Sequence, residues 1–226
     1  VELHCHLEAC FRDQTVIEGG RDLGRAMPDN SEQFRREWLL SEPMANLEDA
    51  LGRFTGIQQI WCSEEVIERM TLEACEDAKA QGIRVMEFRY SPDFIAADKP
   101  HLNFSRIHQA ILRGVEAARS PEFAVGLIGI VQKTLSLDAA AHTIDFIREH
   151  ADSFIALDFA DHQTCALSEY RPLVDKARAA GLHVTVHAGE EPIPGAAREV
   201  REAIEDLGAD RKSTRLNSSH QIISYA

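Results

Sequence analysis

The sequence predicts an α/β protein: an incomplete (β/α)8 TIM-type barrel with about five of its eight strands present. Two observations carry that expectation: short β-rich apolar runs recur along the chain, and each run is followed by a turn and a segment of helical period. Alternating strands and helices imply a parallel sheet, open or closed into a barrel, and the barrel is the expectation.

The first run is Glu2 to Leu7. A long helical region, Thr15 to Gln81, follows it. Within that region Ser63 before Glu64 and Glu65 is an N-cap signature, Val66, Ile67, Met70, Ala74 and Ala78 share one face, and Gly82 is the stop. The second, third and fourth runs are Arg84 to Tyr90, Phe123 to Val131 and Phe154 to Phe159. Ser168 to Gly181 repeats the helix start and stop around Leu173, Val174 and Ala177, and Leu182 to His187 is the fifth run. A last amphipathic segment carries Ala203, Ile204 and Leu207. A complete barrel has eight strands in typically about 250 residues, so five strands in 226 residues predict a chain that runs out before closure.

Two segments are expected, a partial barrel over residues 1–211 and a tail over residues 212–226. The tail is rich in serine and lacks acidic residues, glycine and proline. From Arg211 onward, RKSTRLNSSHQIISYA resembles translated adapter sequence, which marks the tail as non-native or disordered.

With 44% hydrophobic residues and a net charge of −13, the chain reads as soluble and globular, and it would repel phosphate backbones and acidic lipid surfaces. No nucleic-acid polymer and no membrane are expected as partners. There is no bilayer-length apolar run, and Val1 to Leu7 lacks the order of a signal peptide, which predicts a cytoplasmic protein. The five cysteines form no CxxC pair, so neither a disulfide framework nor a thiolate metal site is indicated. His101, His108, His142 and His150 read as surface residues, and Trp38 and Trp61 as core.

The chemistry concentrates in two places. In ELHCHL, strand alternation sends His4 and His6 to one face and Cys5 to the other, which makes a chelating pair. Taken alone such a pair is as often structural as metal-binding; its position at a strand end favours a metal. In VTVHAGE, a β-branched run delivers His187 to a strand end, and a turn through Gly189 leads to Glu190. This supplies a third ligand and a neighbouring acid or base. Either residue by itself reads as a strand, a glycine turn and an exposed carboxylate; the two motifs together do not.

At these residues the sequence resembles the adenosine deaminase family. ELHCHLE, EFRYSP (Glu87 to Pro92), LDFAD (Leu157 to Asp161), TVHAGE (Thr185 to Glu190) and LGADR (Leu207 to Arg211) stand in the family's order and spacing. The resemblance implies zinc held by His4, His6 and His187, with Glu190 as the acid that protonates the purine ring nitrogen beside the attacked carbon. It implies a sugar contact from Glu8, ammonia as a product, and a small-molecule purine nucleoside as substrate. It also brings departures. Thr214 stands where the family has a histidine that orients the water, and the family's later aspartate pair has no counterpart, so the chain as given is expected to be inactive. Asp161 replaces a glycine whose backbone meets the purine, and Ala9 replaces a glycine beside Glu8. Adenosine, aminodeoxyfutalosine and free adenine all stay open as substrates.

Rival readings are other HxH amidohydrolases, HxH phosphoesterases, and a non-catalytic fragment or purine-binding pseudoenzyme. Many of the first group use a bridging lysine on a middle strand, and only Lys133, just beyond the third run, approaches that place. Cytidine-type deaminases need HxE with PCxxC, which the chain lacks.

Overall fold

The structure, a computed structural model, describes residues 1–38, 52, 55–162, 165–190, 194–209 and 211–212. Among them, six strands form one sheet in chain order: β1 (Glu2–His6), β2 (Val85–Tyr90), β3 (Ala124–Gln132), β4 (Phe154–Ala160), β5 (His183–Val186) and β6 (Arg211–Lys212). The pairs β3–β4, β4–β5 and β5–β6 are parallel. A strand order that follows the chain, with helices in the crossovers, belongs to a barrel; an open doubly wound sheet reverses its order at a switch point. The architecture is an incomplete (β/α)8 barrel, with a short sixth strand beyond the five expected. That strand takes in Lys212, the first residue of the expected tail. Residues 213–226, the rest of the tail, lie outside the described residues.

The helices are α1 (Asp13–Asp22), α2 (Ser31–Trp38), α3 (Glu64–Ala80), α4 (Pro92–Ala96), α5 (Phe104–Ala117), α6 (Leu137–Glu149), α7 (Arg171–Ala179) and α8 (Ala196–Glu205). The chain divides into two compact units, one built on Val1–Met86 and Phe94–Val125, the other on Glu87–Asp93 and the described residues that follow Val125.

In the first unit α3 begins as the sequence predicts. The Ser63 hydroxyl accepts the Val66 N–H at 3.3 Å, satisfying a donor that the first turn leaves open. Glu64 and Glu65 in the first turn and Lys79 in the last complement the helix dipole. Its inner face buries Ile67, Met70, Ala74, Cys75 and Ala78, and α5 packs closely on it. At Gly114 of α5 an added Cβ would lie 2.6 Å from the Glu68 carbonyl oxygen and 2.7 Å from Thr71 Cβ. No larger residue fits that approach. His108, expected at the surface, is instead fully buried. It shares the face of α5 that carries Ile107, Ala110 and Ile111, so helical period places it inward. Trp61 is core as expected, whereas Trp38 is half-buried and stacks on Phe34 at 5.5 Å.

In the second unit every residue of β4 except Ile155 is buried. Parallel strands covered on both faces produce such continuous burial. The helix expected from Ser168 starts later: Leu167–Tyr170 is a 3-10 turn, and α7 begins at Arg171 with Pro172 in its first turn. Proline is suited to that place because the N–H it lacks has no intrahelical partner there. Val174 and Ala177 are buried as predicted, but Ile204 of α8 is exposed. No helix among the described residues is long and apolar enough to cross a membrane.

Candidate metal centre

β1 is short and alternating, so His4 and His6 fall on one face. Their ring centroids are 5.5 Å apart, while Cys5 between them is buried on the other side. His6 closes the strand, and the 3-10 turn Leu7–Ala9 follows at once. That turn holds Glu8, whose side chain is buried with 3% exposure.

β5 ends at Val186, and His187 continues its line for one residue, its N–H donating to the Phe159 carbonyl at 2.7 Å. The ring is 2% exposed. Its Nδ1 stands 2.9 Å from Asp158 Oδ2, and Asp158 lies within β4 in register with Thr185. Carboxylates in this position fix a histidine's tautomer and aim its other nitrogen.

Asp158 is itself held on several sides. Arg89 of β2 donates to Oδ2 at 2.9 Å, and the Thr185 hydroxyl donates to Oδ1 at 2.8 Å. Both ions of the Arg89–Asp158 pair are buried, at 1% and 0% exposure. Burial alone would raise the Asp158 carboxyl. Electrostatic attraction from His187 and Arg89, with the hydrogen bonds from His187 and Thr185, outweighs it and holds the group well below the usual carboxylate range.

His4, His6 and His187 together form a group able to hold a metal ion, one ring nitrogen from each lying within 4.8 Å of the others. Among the described residues these are the three that the sequence nominated as ligands. Three imidazoles, one of them beside a carboxylate, are donors suited to a divalent transition metal.

Glu190 follows Gly189 in the turn after β5 and is half-buried. Asp161 follows β4 directly in a left-handed conformation with φ 79°. Its carboxylate accepts from Thr134 Oγ1 at 2.9 Å and from its neighbour's His162 N–H at 2.7 Å. That φ lies in the region that glycine favours, and the carboxylate is engaged locally. Sequence reasoning gave no role to Arg89, Asp158 or Glu199, and weighed Lys133 only as the bridging lysine of a rival chemistry. A charge inside a buried strand, as in LDFA or EFRY, requires a buried partner, and that was the available signal.

The sequence model of the family described as "Adenosine deaminase" matches residues 1–217. The chain belongs to the adenosine deaminase family. Two curated adenosine deaminases illustrate the family likeness. That of Edwardsiella ictaluri is 31% identical over 221 residues, covering 96% of this chain and 65% of the relative. That of Plasmodium falciparum is 30% identical over 193 residues, covering 84% and 52%. The chain therefore spans less than two thirds of these adenosine deaminases. Among solved structures, an adenine deaminase from Arthrobacter aurescens superposes with a TM-score of 0.79 at 20% identity, covering 93% of this chain and 63% of that one. An amidohydrolase from Burkholderia ambifaria with bound zinc gives 0.76 at 23%, covering 94% and 57%. At these identities the likeness is one of fold.

Proposed function

We propose that this chain carries the zinc-binding part of an enzyme that hydrolytically deaminates adenosine or a related aminopurine nucleoside. The observation that carries the reading is the histidine group His4, His6 and His187 with Asp158 behind His187. The donor set suits zinc, which when bound would lower the pKa of a water to near neutrality and act as a Lewis acid.

The chain's own residues divide the remaining tasks. Asp158 keeps the His187 ring in one orientation, and the Arg89 ion pair keeps Asp158 charged. Glu190, as a carboxylic acid, donates a proton to the purine ring nitrogen beside the attacked carbon, so charge does not accumulate on the ring as the amino group leaves. Glu8, buried in the turn after β1, contacts the sugar. At Asp161 the left-handed backbone presents the main chain to the purine as a glycine would.

Metal analysis tests the first half of this reading. Purified chain is expected to hold about one zinc per molecule, and His6→Ala to lose it; chain that takes up no zinc when supplied with it overturns the proposal. The second half is read as ammonia release from aminopurine nucleosides by the protein at the full length of its relatives. Release that survives complete metal removal contradicts it.

A further inference from the structure

We propose that Lys133, which is buried, and Glu199, which is partly exposed, form an ionic clamp that sets the position of the His187–Glu190 segment. They are positioning residues for the third histidine and the proton donor, and the inference rests on the zinc deaminase reading above.

Lys133 is 2% exposed. A buried ammonium is costly unless it is paired and hydrogen-bonded, so its partners reveal its task. Nζ donates to the His187 carbonyl oxygen at 2.8 Å and to Glu199 Oε1 at 2.8 Å. The other oxygen of Glu199 accepts the Gly189 N–H at 2.9 Å. One ion pair therefore grips both backbone groups that flank Ala188, the carbonyl before it and the N–H after it.

Each half of the clamp is anchored on a separate element. Lys133 follows β3, and its own N–H donates to the Ala160 carbonyl at the end of β4 at 2.8 Å. Glu199 sits in the first turn of α8, where its N–H donates to Gly195 at 3.0 Å. Between them Gly189 has φ 69°, and a Cβ there would come 2.7 Å from Val200 Cγ2 of α8. No side chain at Gly189 can wedge the turn in place, so polar bonds to its backbone must hold it.

The geometry gives His187 three fixed points: its N–H on Phe159, its carbonyl on Lys133 and its Nδ1 beside Asp158. Glu190 is the next residue but two, and the dihedral angles that the clamp fixes aim its carboxyl. Displacement of a reacting group by about 1 Å can cost on the order of 100-fold in rate. Buried ion pairs seldom stabilise more than apolar packing of the same volume, and what this pair contributes is placement.

The test uses the full chain with Lys133→Met, Glu199→Gln and Lys133→Arg. Zinc affinity is read by competition with a chromophoric chelator, ligand geometry by the visible absorption of the cobalt(II)-loaded chain, and folding by melting of the metal-free chain. Lys133→Met is expected to weaken zinc about 10- to 100-fold and to shift the cobalt bands, while the metal-free chain still melts cooperatively. Lys133→Arg, which keeps charge and donors, should recover most of the affinity. If Lys133→Met does not fold, Glu199→Gln decides with the same readouts, since it keeps an acceptor for Gly189 but loses the charge facing Lys133. Variants that melt lower yet keep wild-type zinc affinity and cobalt bands would overturn the inference and leave the clamp as packing alone. Wild-type chain that binds no zinc overturns the deaminase reading itself, and the inference falls with it.

Discussion

Replacing Asp158 by asparagine tests the network behind His187 because the amide keeps the shape and removes only the charge. In the wild type the carboxylate lies 2.9 Å from both Arg89 and the His187 ring and accepts from Thr185 at 2.8 Å. The variant removes the carboxylate charge that faces the Arg89 guanidinium, 1% exposed. Breaking a buried pair in this way costs about 3–5 kcal/mol. For a chain of this size each kcal/mol is worth roughly 2–4 °C, so the melting temperature should fall by about 6–20 °C. The pH dependence has a definite sign. Asp158 is held below its unfolded pKa of about 3.9, so the folded state binds fewer protons than the unfolded one between the two values. Its contribution is fully present above the unfolded pKa and is lost as the pH falls through the folded pKa. The gap between wild type and variant should therefore be constant from neutrality to about pH 5 and narrow below pH 4. Urea titrations at pH 7, 5, 4 and 3 measure it. A loss under about 1 kcal/mol at pH 7, or a gap that widens on acidification, would refute the reasoning.

Two further outcomes are expected. In the protein at the full length of its relatives, Glu190→Gln should retain zinc by elemental analysis and lose about 10²- to 10⁴-fold in kcat, since an amide cannot donate the proton; normal turnover would reduce Glu190 to a turn residue. Gly114→Ala should destabilise the chain by about 1–3 kcal/mol in urea unfolding, because the new methyl meets the Glu68 carbonyl of α3 at 2.6 Å; an unchanged midpoint would mean that the helices slide apart freely.

What the sequence disclosed was local in character. Strand alternation suffices to put His4 and His6 on one face, and an apolar run with a glycine turn suffices to mark His187 and Glu190 as a strand end. The network that supports them joins residues far apart in the chain. Arg89 meets Asp158 across 69 positions, and Lys133 meets Glu199 across 66, and no periodicity reports such pairs. Lys133 drew notice only as a bridging lysine for a rival chemistry, and its partner in α8 gave no reason to look further. Ser168 misled because the chain makes a 3-10 turn before Pro172 allows the helix to start. His108 misled because polarity was weighed above its place among Ile107, Ala110 and Ile111.

The wiring of the sheet also governs how it can assemble. Each strand's hydrogen-bonded neighbour is the next strand to be synthesised, and β4 starts 30 residues after β3 starts. At ribosomal speeds of about 5–20 residues per second that interval lasts roughly 2–6 s, far longer than the microseconds in which local helices and hairpins form. A nascent sheet of this order grows from one end, and whichever strand arrived last serves for seconds as its open edge. During that wait β4, apolar along nearly its whole length, is a template for the next strand and equally for any foreign one. Slowing synthesis just after residue 160, while β4 is the open edge, should therefore raise aggregation relative to synthesis at normal speed.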